Sequence, residues 1–435
     1  PEATTTRARV SGVAALLTAA SVLAQGTGFI TGPLLARALG AAGRGDLQAV
    51  IVPLTLVPAL LGFGIAPYAY RTLPRGRSVQ EVLPSLGLPL LVVGMVTAAC
   101  AIPVADVLAA GRATVRLWLI IGLILTPLSL LVLLLNSSLI SLERWRSVVG
   151  VSLSPFLVAL VATPALFVIG DLTVATAAAI VIAGMLLQIV PGVTLLLEAR
   201  RPVFDLPLAR AGIAFGLKSW LGGLAQTANA RADQLLMITL VPAQQLGLYA
   251  VATTLSSAYG LVSGALAPPL MPRIAAGERQ LMPLAVRMTL LLTIGLSLAV
   301  ALITPLVLSV LFGPQFRGAG PMAFVLLGAS IPLAGASVLS SALQADGAPV
   351  IASFAEGIAL VITGVGLFLL LPPLQGMGAA IVSLAAYSAS FIYQLAMAAR
   401  RIGVPVREFL VVGRADVVWA RSRAAELTLR LRAAI

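Results

Sequence analysis

The run Gln226-Thr227-Ala228-Asn229-Ala230-Arg231-Ala232-Asp233-Gln234 carries the densest chemistry of the chain, inside an apolar stretch from Ala211 to Leu240. Arg231 stands nine positions before the end of that stretch, roughly 13 Å along a helix. A guanidinium and a carboxylate at that depth in hydrocarbon are costly unless they face a partner or a watery cavity. The guanidinium suits a phosphate or diphosphate, which its planar fork grips through two parallel donors. The carboxylate of Asp233 suits a coupling proton or cation. Two positions apart, the pair stand about 200° around a helix and cannot bond side by side. The competing use of both is an interhelical ion pair or amide network that fixes the bundle.

The stretch reads as one helix with a polar side. Stepping 100° per residue puts Gln226, Asn229 and Asp233 in one lobe, with Thr227, Arg231 and Gln234 in the next. Leu221, Leu224, Ala228, Ala232, Leu235 and Leu236 fill the remaining arc, which suits lipid or a packed helix. Two other charges fall inside apolar stretches. Arg37 lies two residues from the end of the first one, where a long side chain either meets substrate or snorkels to the interface. Glu356 is seven residues into the eleventh, with no neighbouring cation. It is a second coupling-ion candidate, against a carboxyl bonded to a neighbouring helix. Asn136 with Ser137-Ser138 reads as helix-packing glue.

These side chains need a membrane bundle to hold them. Of 435 residues, 60% are hydrophobic and 10% charged, and mean hydropathy is +1.06, which marks a polytopic membrane protein. The net charge of +13 comes from arginines scattered between apolar stretches. That pattern reads as topology and not as a nucleic-acid surface. A single cysteine, Cys100, rules out an internal disulfide framework, and the absence of histidine removes the usual zinc arrangements, so neither a metal nor a cofactor is expected. No glycine-rich loop with lysine cradles a phosphate, so ATP hydrolysis is not expected, nor any other enzyme activity. The first apolar stretch follows Arg7 and Arg9 and continues past any signal-peptidase site, so it reads as a span.

Twelve apolar stretches are long enough to cross a bilayer of roughly 30 Å. The first six run Val10–Leu39, Leu47–Tyr70, Leu83–Ala105, Val115–Leu142, Val148–Ile169 and Leu172–Leu197. The second six run Ala211–Leu240, Gln245–Leu270, Met282–Leu311, Pro321–Ala345, Val350–Leu371 and Met377–Ala399. With the N-terminus inside, cytoplasmic segments hold Arg71, Arg75, Arg77, Arg144, Arg146, Arg200, Arg201, Arg273, Arg279 and the basic tail. The other side keeps only Arg44, Arg112, Arg116 and Arg317. That asymmetry puts both termini in the cytoplasm of a multi-pass protein in the cell membrane.

The halves repeat. Leu23-Ala24-Gln25 returns as Leu224-Ala225-Gln226 at an offset of 201, Gly45 as Gly247 at 202, and Ser137-Ser138 as Ser340-Ser341 at 203. Six spans per half give both halves one orientation, hence a parallel repeat about an axis along the membrane normal. The expected division is 8–204 and 205–400 as two six-helix lobes, and 401–435 as a basic tail. Arg407, Arg414 and Arg421 recur every seven residues in that tail, which suits an amphipathic helix on anionic lipid or an unstructured basic segment. In this register Gly32-Pro33 falls opposite Asp233-Gln234, so one half has a candidate hinge where the other has its polar sector.

At Leu39-Gly40-Ala41-Ala42-Gly43-Arg44-Gly45 the chain begins to resemble a known family. The resemblance continues at Arg231-Ala232-Asp233-Gln234-Leu235-Leu236, Leu246-Gly247-Leu248-Tyr249-Ala250, Leu311-Phe312-Gly313-Pro314-Gln315-Phe316 and Gln344-Ala345-Asp346-Gly347-Ala348-Pro349. In their order and spacing these motifs are similar to Wzx-type flippases of the multidrug/oligosaccharidyl-lipid/polysaccharide exporter superfamily. The resemblance implies an all-α integral membrane fold with two six-helix lobes around a central cavity, like that of MATE transporters. It implies alternating access that moves a polyprenyl-diphosphate-linked oligosaccharide to the outer leaflet. Polysaccharide polymerase and glycosyltransferases are then candidate partners, beside membrane lipids. The substrate would meet Arg231, Asp233, Gln226, Asn229, Gln234, Gln25 and Arg37. One departure stands out: the first half shows few charges inside its spans, so no strongly cationic cavity is visible. The alternatives are a multidrug or small-molecule cation antiporter of the same superfamily, and an assembly factor without transport.

Overall fold

The computed structural model describes residues 2–229 and 231–411, with side chains left undescribed at 2–19, 21, 22, 24, 25, 219, 221–228, 265, 267–270 and 272. Among the described residues, eight helices are long and apolar enough to cross a membrane, and a bent pair over Ala113–Ser141 makes a ninth. Two of the eight are double-length, and one further crossing is interrupted. Twelve spans result, called spans 1 to 12 below, at the positions the hydropathy sets.

The breaks follow from local chemistry. The helical run Glu2–Leu61 turns at Gly40, whose φ of 67° is left-handed and open to glycine without a Cβ clash. It separates span 1 (2–39) from span 2 (41–61). The run Pro349–Ile402 turns at Gln375, two residues after Pro372-Pro373, and so contains spans 11 and 12. Span 6 starts on a capping box in which Thr173 and Thr176 satisfy each other's backbone donors.

Span 7 departs from the single helix expected of it. Leu206–Asn229 and Ala232–Leu240 are separate helices, and Arg231 between them has φ −139° and ψ −2°. Packing explains where the break falls. Leu208 lies in an apolar cluster with Leu86, Leu134 and Leu195 of the first half, whereas Met237 and Ile238 lie in a cluster that both halves share. Span 7 crosses from one to the other, and the polar run sits at the crossing. Trp220 anchors the first part by donating to the Leu60 carbonyl at 2.6 Å and packing its ring 5.1 Å from that of Phe63.

The shared core gathers at the face that carries the 1–2 and 9–10 connections, with Val50, Leu119, Leu248, Tyr249 and Phe316 all buried. At the other, arginine-rich face the core divides in two, one cluster from the first half with the start of span 7 and one from the second half alone. Between the halves two close approaches are reciprocal. A Cβ on Gly45 would stand 1.8 Å from the Ala243 carbonyl oxygen, and one on Gly247 1.9 Å from that of Ala41. Each contact is the other moved by 202 residues, as expected where a two-fold axis passes between spans 2 and 8. Only glycine fits either place.

At the arginine-rich face Asp346, in the turn between spans 10 and 11, is clamped by Arg279 and Arg401. Burial pushes its carboxyl up, but the hydrogen bonds from Arg401 and Arg279 outweigh this and hold it below the ordinary carboxylate range. A carboxyl depressed in the folded state stabilises above its unfolded pKa and loses that contribution as pH falls through the folded value. Asp346→Asn is therefore expected to lower the melting temperature in detergent by about 2–4 °C at pH 7. The difference should vanish on acidification, and a pH-independent deficit would place the effect elsewhere. The chain then follows into Arg407–Leu410, where Phe409 is fully buried in the second half's core. The rest of the tail, with Arg414 and Arg421, lies outside the described residues.

Candidate functional site

The break in span 7 opens onto a cavity of about 560 Å³ between the halves. Arg44 and Gln48 reach it from span 2, Arg231, Asp233 and Gln234 from span 7, and Tyr249 from span 8. The restart of the helix after Arg231 arranges the polar atoms. Asp233 lies in the first turn, where backbone N–H groups lack helical acceptors, and its Oδ1 accepts from the Gln234 N–H at 2.7 Å. Its Oδ2 accepts from the Tyr249 hydroxyl, which also lies 3.3 Å from Ser383 Oγ. Asp233 is thus buried with both oxygens engaged.

Gln234 joins the halves. Its Oε1 accepts from Gln48 Nε2 at 2.7 Å and from Arg231 at 3.1 Å. Among the described residues neither Arg231 nor Arg44 forms an ion pair, and the buried Arg44 Nε has no hydrogen-bond partner. The cavity therefore presents two guanidinium groups, one from each half, against one carboxylate already bonded.

A second chamber of about 250 Å³ adjoins the first and shares Tyr259, Leu333 and Tyr387 with it. Asn229 and Glu356 line it. Asn229 Oδ1 accepts from Thr363 at 2.8 Å, and its Nδ2 points at Glu356 Oε2 at 3.4 Å, a long and weak contact.

Of the residues expected at the site, Arg231, Asp233 and Gln234 meet in the cavity. Asn229 does not share a face with Asp233; the break turns it into the second chamber with Glu356. Arg37 is elsewhere: exposed, it donates to the Leu311 carbonyl at 2.8 Å and to that of Val310, tying span 1 to the end of span 9. Gly32 and Pro33 are buried inside an unbroken helix, beside Phe312. The side chains of Gln25 and Gln226 lie outside the described residues.

Arg44 corrects an expectation. Counted from the sequence in an external loop, it lies inside a helix because span 2 begins directly after Gly40, and it points into the cavity. Gln48 follows one turn later on the same face. Gly40 marks a helix stop, but Gly43, Gly45 and Asp46 around Arg44 carry turn chemistry, so the sequence reads as a loop where the helix has already restarted. Tyr249 gave no signal beyond its place in a motif.

Solved structures share this fold. The fold matches that of "Lipid II flippase MurJ, inward closed conformation" with a TM-score of 0.72 and 13% identity, over 90% of this chain and 89% of that one. It matches an inward-facing multidrug resistance MATE family transporter of the MOP superfamily with a TM-score of 0.63 and 16% identity, over 89% and 94%. The MATE multidrug transporter DinF-BH, solved as a complex, matches with a TM-score of 0.61 and 14% identity, over 92% and 97%. Among curated protein sequences nothing matches significantly. The fold thus defines a multi-pass membrane protein built like the MOP-superfamily exporters. Residues 12–278 match the family model described as polysaccharide biosynthesis protein, and the chain belongs to that family.

Proposed function

We propose that the chain is a flippase that moves a polyprenyl-diphosphate-linked oligosaccharide from the cytoplasmic to the outer leaflet of the cell membrane for polysaccharide biosynthesis. The observation that carries this reading is the pair Arg44 and Arg231, one from each half, which line one cavity and form no ion pair among the described residues. A diphosphate supplies two anionic groups, and each guanidinium grips one through paired donors. An anion held from both sides ties the halves together while bound, which gives the substrate different affinities in different arrangements of the halves. Asp233 carries the coupling role, since protonation or a cation would release Tyr249 and loosen the segment that holds Arg231.

The arginine-rich face is the cytoplasmic one, with both termini there, because cytoplasmic connections keep the excess of arginine. Polymerase and glycosyltransferases are the proposed partners, as the enzymes that consume and make such a lipid. The rival reading, export of an organic cation, needs carboxylates free to meet it. Asp233 is bonded at both oxygens, and two arginines share its cavity. A cell depleted of the chain should accumulate lipid-linked oligosaccharide on the inner leaflet, and wild-type protein should clear it. Unchanged levels on depletion would remove the proposal.

A further inference from the structure

The second chamber is not explained by a diphosphate. Among the described residues no arginine or lysine lines it, and its lining is rich in hydroxyl and amide groups: Tyr259, Tyr387, Ser337, Ser340 and Ser390 beside Asn229. Glu356 adds one carboxyl. Its size limits what enters. At about 30 Å³ per water, 250 Å³ is room for roughly eight waters, enough for one pyranose ring.

Its chemistry narrows the choice further. A carboxyl accepts hydrogen bonds from vicinal hydroxyls, an amide both gives and accepts, and a tyrosine face packs against the C–H side of a ring. Some of these groups are already oriented. Thr363 donates to Asn229 Oδ1 at 2.8 Å, which turns the amide donors toward Glu356 and the chamber. Gln394 accepts from Ser340 at 2.9 Å and donates to Ser390 at 3.2 Å, leaving the Ser390 proton for a ligand in the chamber. A dehydrated cation would need a small cage of oxygens, each roughly 2.3–2.6 Å away for an ion of the size of calcium. Here an amide N–H group faces the only carboxyl in a space far larger than an ion.

Position supplies the last step. Asn229 in this chamber and Arg231 in the main cavity are two residues apart, at most roughly 7 Å along the chain. A diphosphate on Arg231 brings the sugar attached to it to the mouth of the chamber. We propose that the chamber seats the first glycosyl unit after the diphosphate, and that Glu356 selects an uncharged sugar there over an acidic one. The proposal rests on the diphosphate reading of Arg231 and adds a specificity-determining pocket to it. The selection has a simple cause: a uronate would set a second carboxylate against Glu356 within one chamber that no arginine or lysine lines among the described residues.

The test is binding of polyprenyl diphosphate, its glucosyl derivative and its glucuronosyl derivative to the purified full-length protein, by native mass spectrometry. Wild-type protein is expected to hold the glucosyl lipid about tenfold more tightly than the bare diphosphate, as one or two net hydrogen bonds would provide, and the glucuronosyl lipid no more tightly. Glu356→Ala should erase the glucosyl advantage while bare polyprenyl diphosphate binds as before, which also reports that the variant is folded. Glu356→Gln keeps the shape and an acceptor, so it should retain most of that advantage and accept the glucuronosyl lipid equally. Arg231→Ala should weaken all three lipids alike; if it weakens none, the diphosphate reading fails. Equal binding of glucosyl and bare lipid by wild-type protein would overturn the chamber proposal alone. So would a Glu356→Ala protein that keeps the advantage and loses only a sodium or pH dependence.

Discussion

An Arg231→Ala protein is expected to insert normally and to translocate lipid-linked oligosaccharide at least about thirtyfold more slowly than wild type. Removing one partner of a buried, charge-assisted contact costs roughly 2–5 kcal/mol, and the lower end of that range already gives more than a tenfold loss. The substrate's second anionic group, left on Arg44 alone, adds to it. Arg231→Lys keeps the charge but loses the planar fork, and partial flipping should survive. Asp233→Asn keeps the shape, so binding of polyprenyl diphosphate should persist while transport slows. A purely structural pair behaves otherwise. Arg231→Ala and Asp233→Asn would then both lower the melting temperature in detergent, because breaking a buried pair leaves its partner uncompensated. Stability and translocation measured on the same three variants separate the two. Arg231 bonds to Gln234 and not to Asp233, which favours the transport phenotype.

The second large effect is expected from adding one methyl group at the axis between the halves. A Cβ at Gly45 or Gly247 would lie 1.8 or 1.9 Å from a carbonyl oxygen of the facing span, well inside contact distance. The obstacle in each case is backbone, which cannot rotate away. Gly45→Ala or Gly247→Ala must therefore hold spans 2 and 8 apart and prevent the halves from meeting at this face. The two separate clusters at the arginine-rich face are untouched by the change, so folded yield should fall much less than transport, which is expected to drop below about a tenth. Spin labels at Asp106 and Gln315, exposed on this face in opposite halves, read the opening directly. An unchanged distance distribution together with normal transport would show that the glycine contact is dispensable.

The sequence carried the span count because hydropathy and breakers act locally. Gly40 and the pair Pro372-Pro373 directly follow the apolar stretches that end at Leu39 and Leu371, and the structure turns at Gly40 and just after the prolines. The repeat was legible for a similar reason, since Gly45 and Gly247 are required by close approach and survive in both halves. Helical phase was less dependable. It is informative only while the helix is continuous, and the break before Arg231 sent Asn229 into a different chamber from Asp233. Arg44 escapes a count by span ends because the helix restarts directly after Gly40 and carries it to the cavity wall. Arg37, three residues from the same turn, went the other way and caps the carbonyls of span 9. Cross-half contacts such as Gln48 with Gln234 arise from how the halves dock, which no local pattern encodes.

The central claim is that the cavity between the halves carries a diphosphate lipid and not a cation. The most direct measurement uses the full chain in proteoliposomes, following in parallel a fluorescent polyprenyl-diphosphate oligosaccharide and a lipophilic organic cation. Transfer of the lipid's headgroup between leaflets is read by an impermeant quencher, and cation uptake by dye fluorescence under an imposed ion gradient. Transfer of the oligosaccharide lipid, lost in Arg231→Ala, is expected, with cation uptake no different from empty vesicles. Uptake of the cation that survives Arg231→Ala and fails in Asp233→Asn, with no transfer of the lipid, would contradict it.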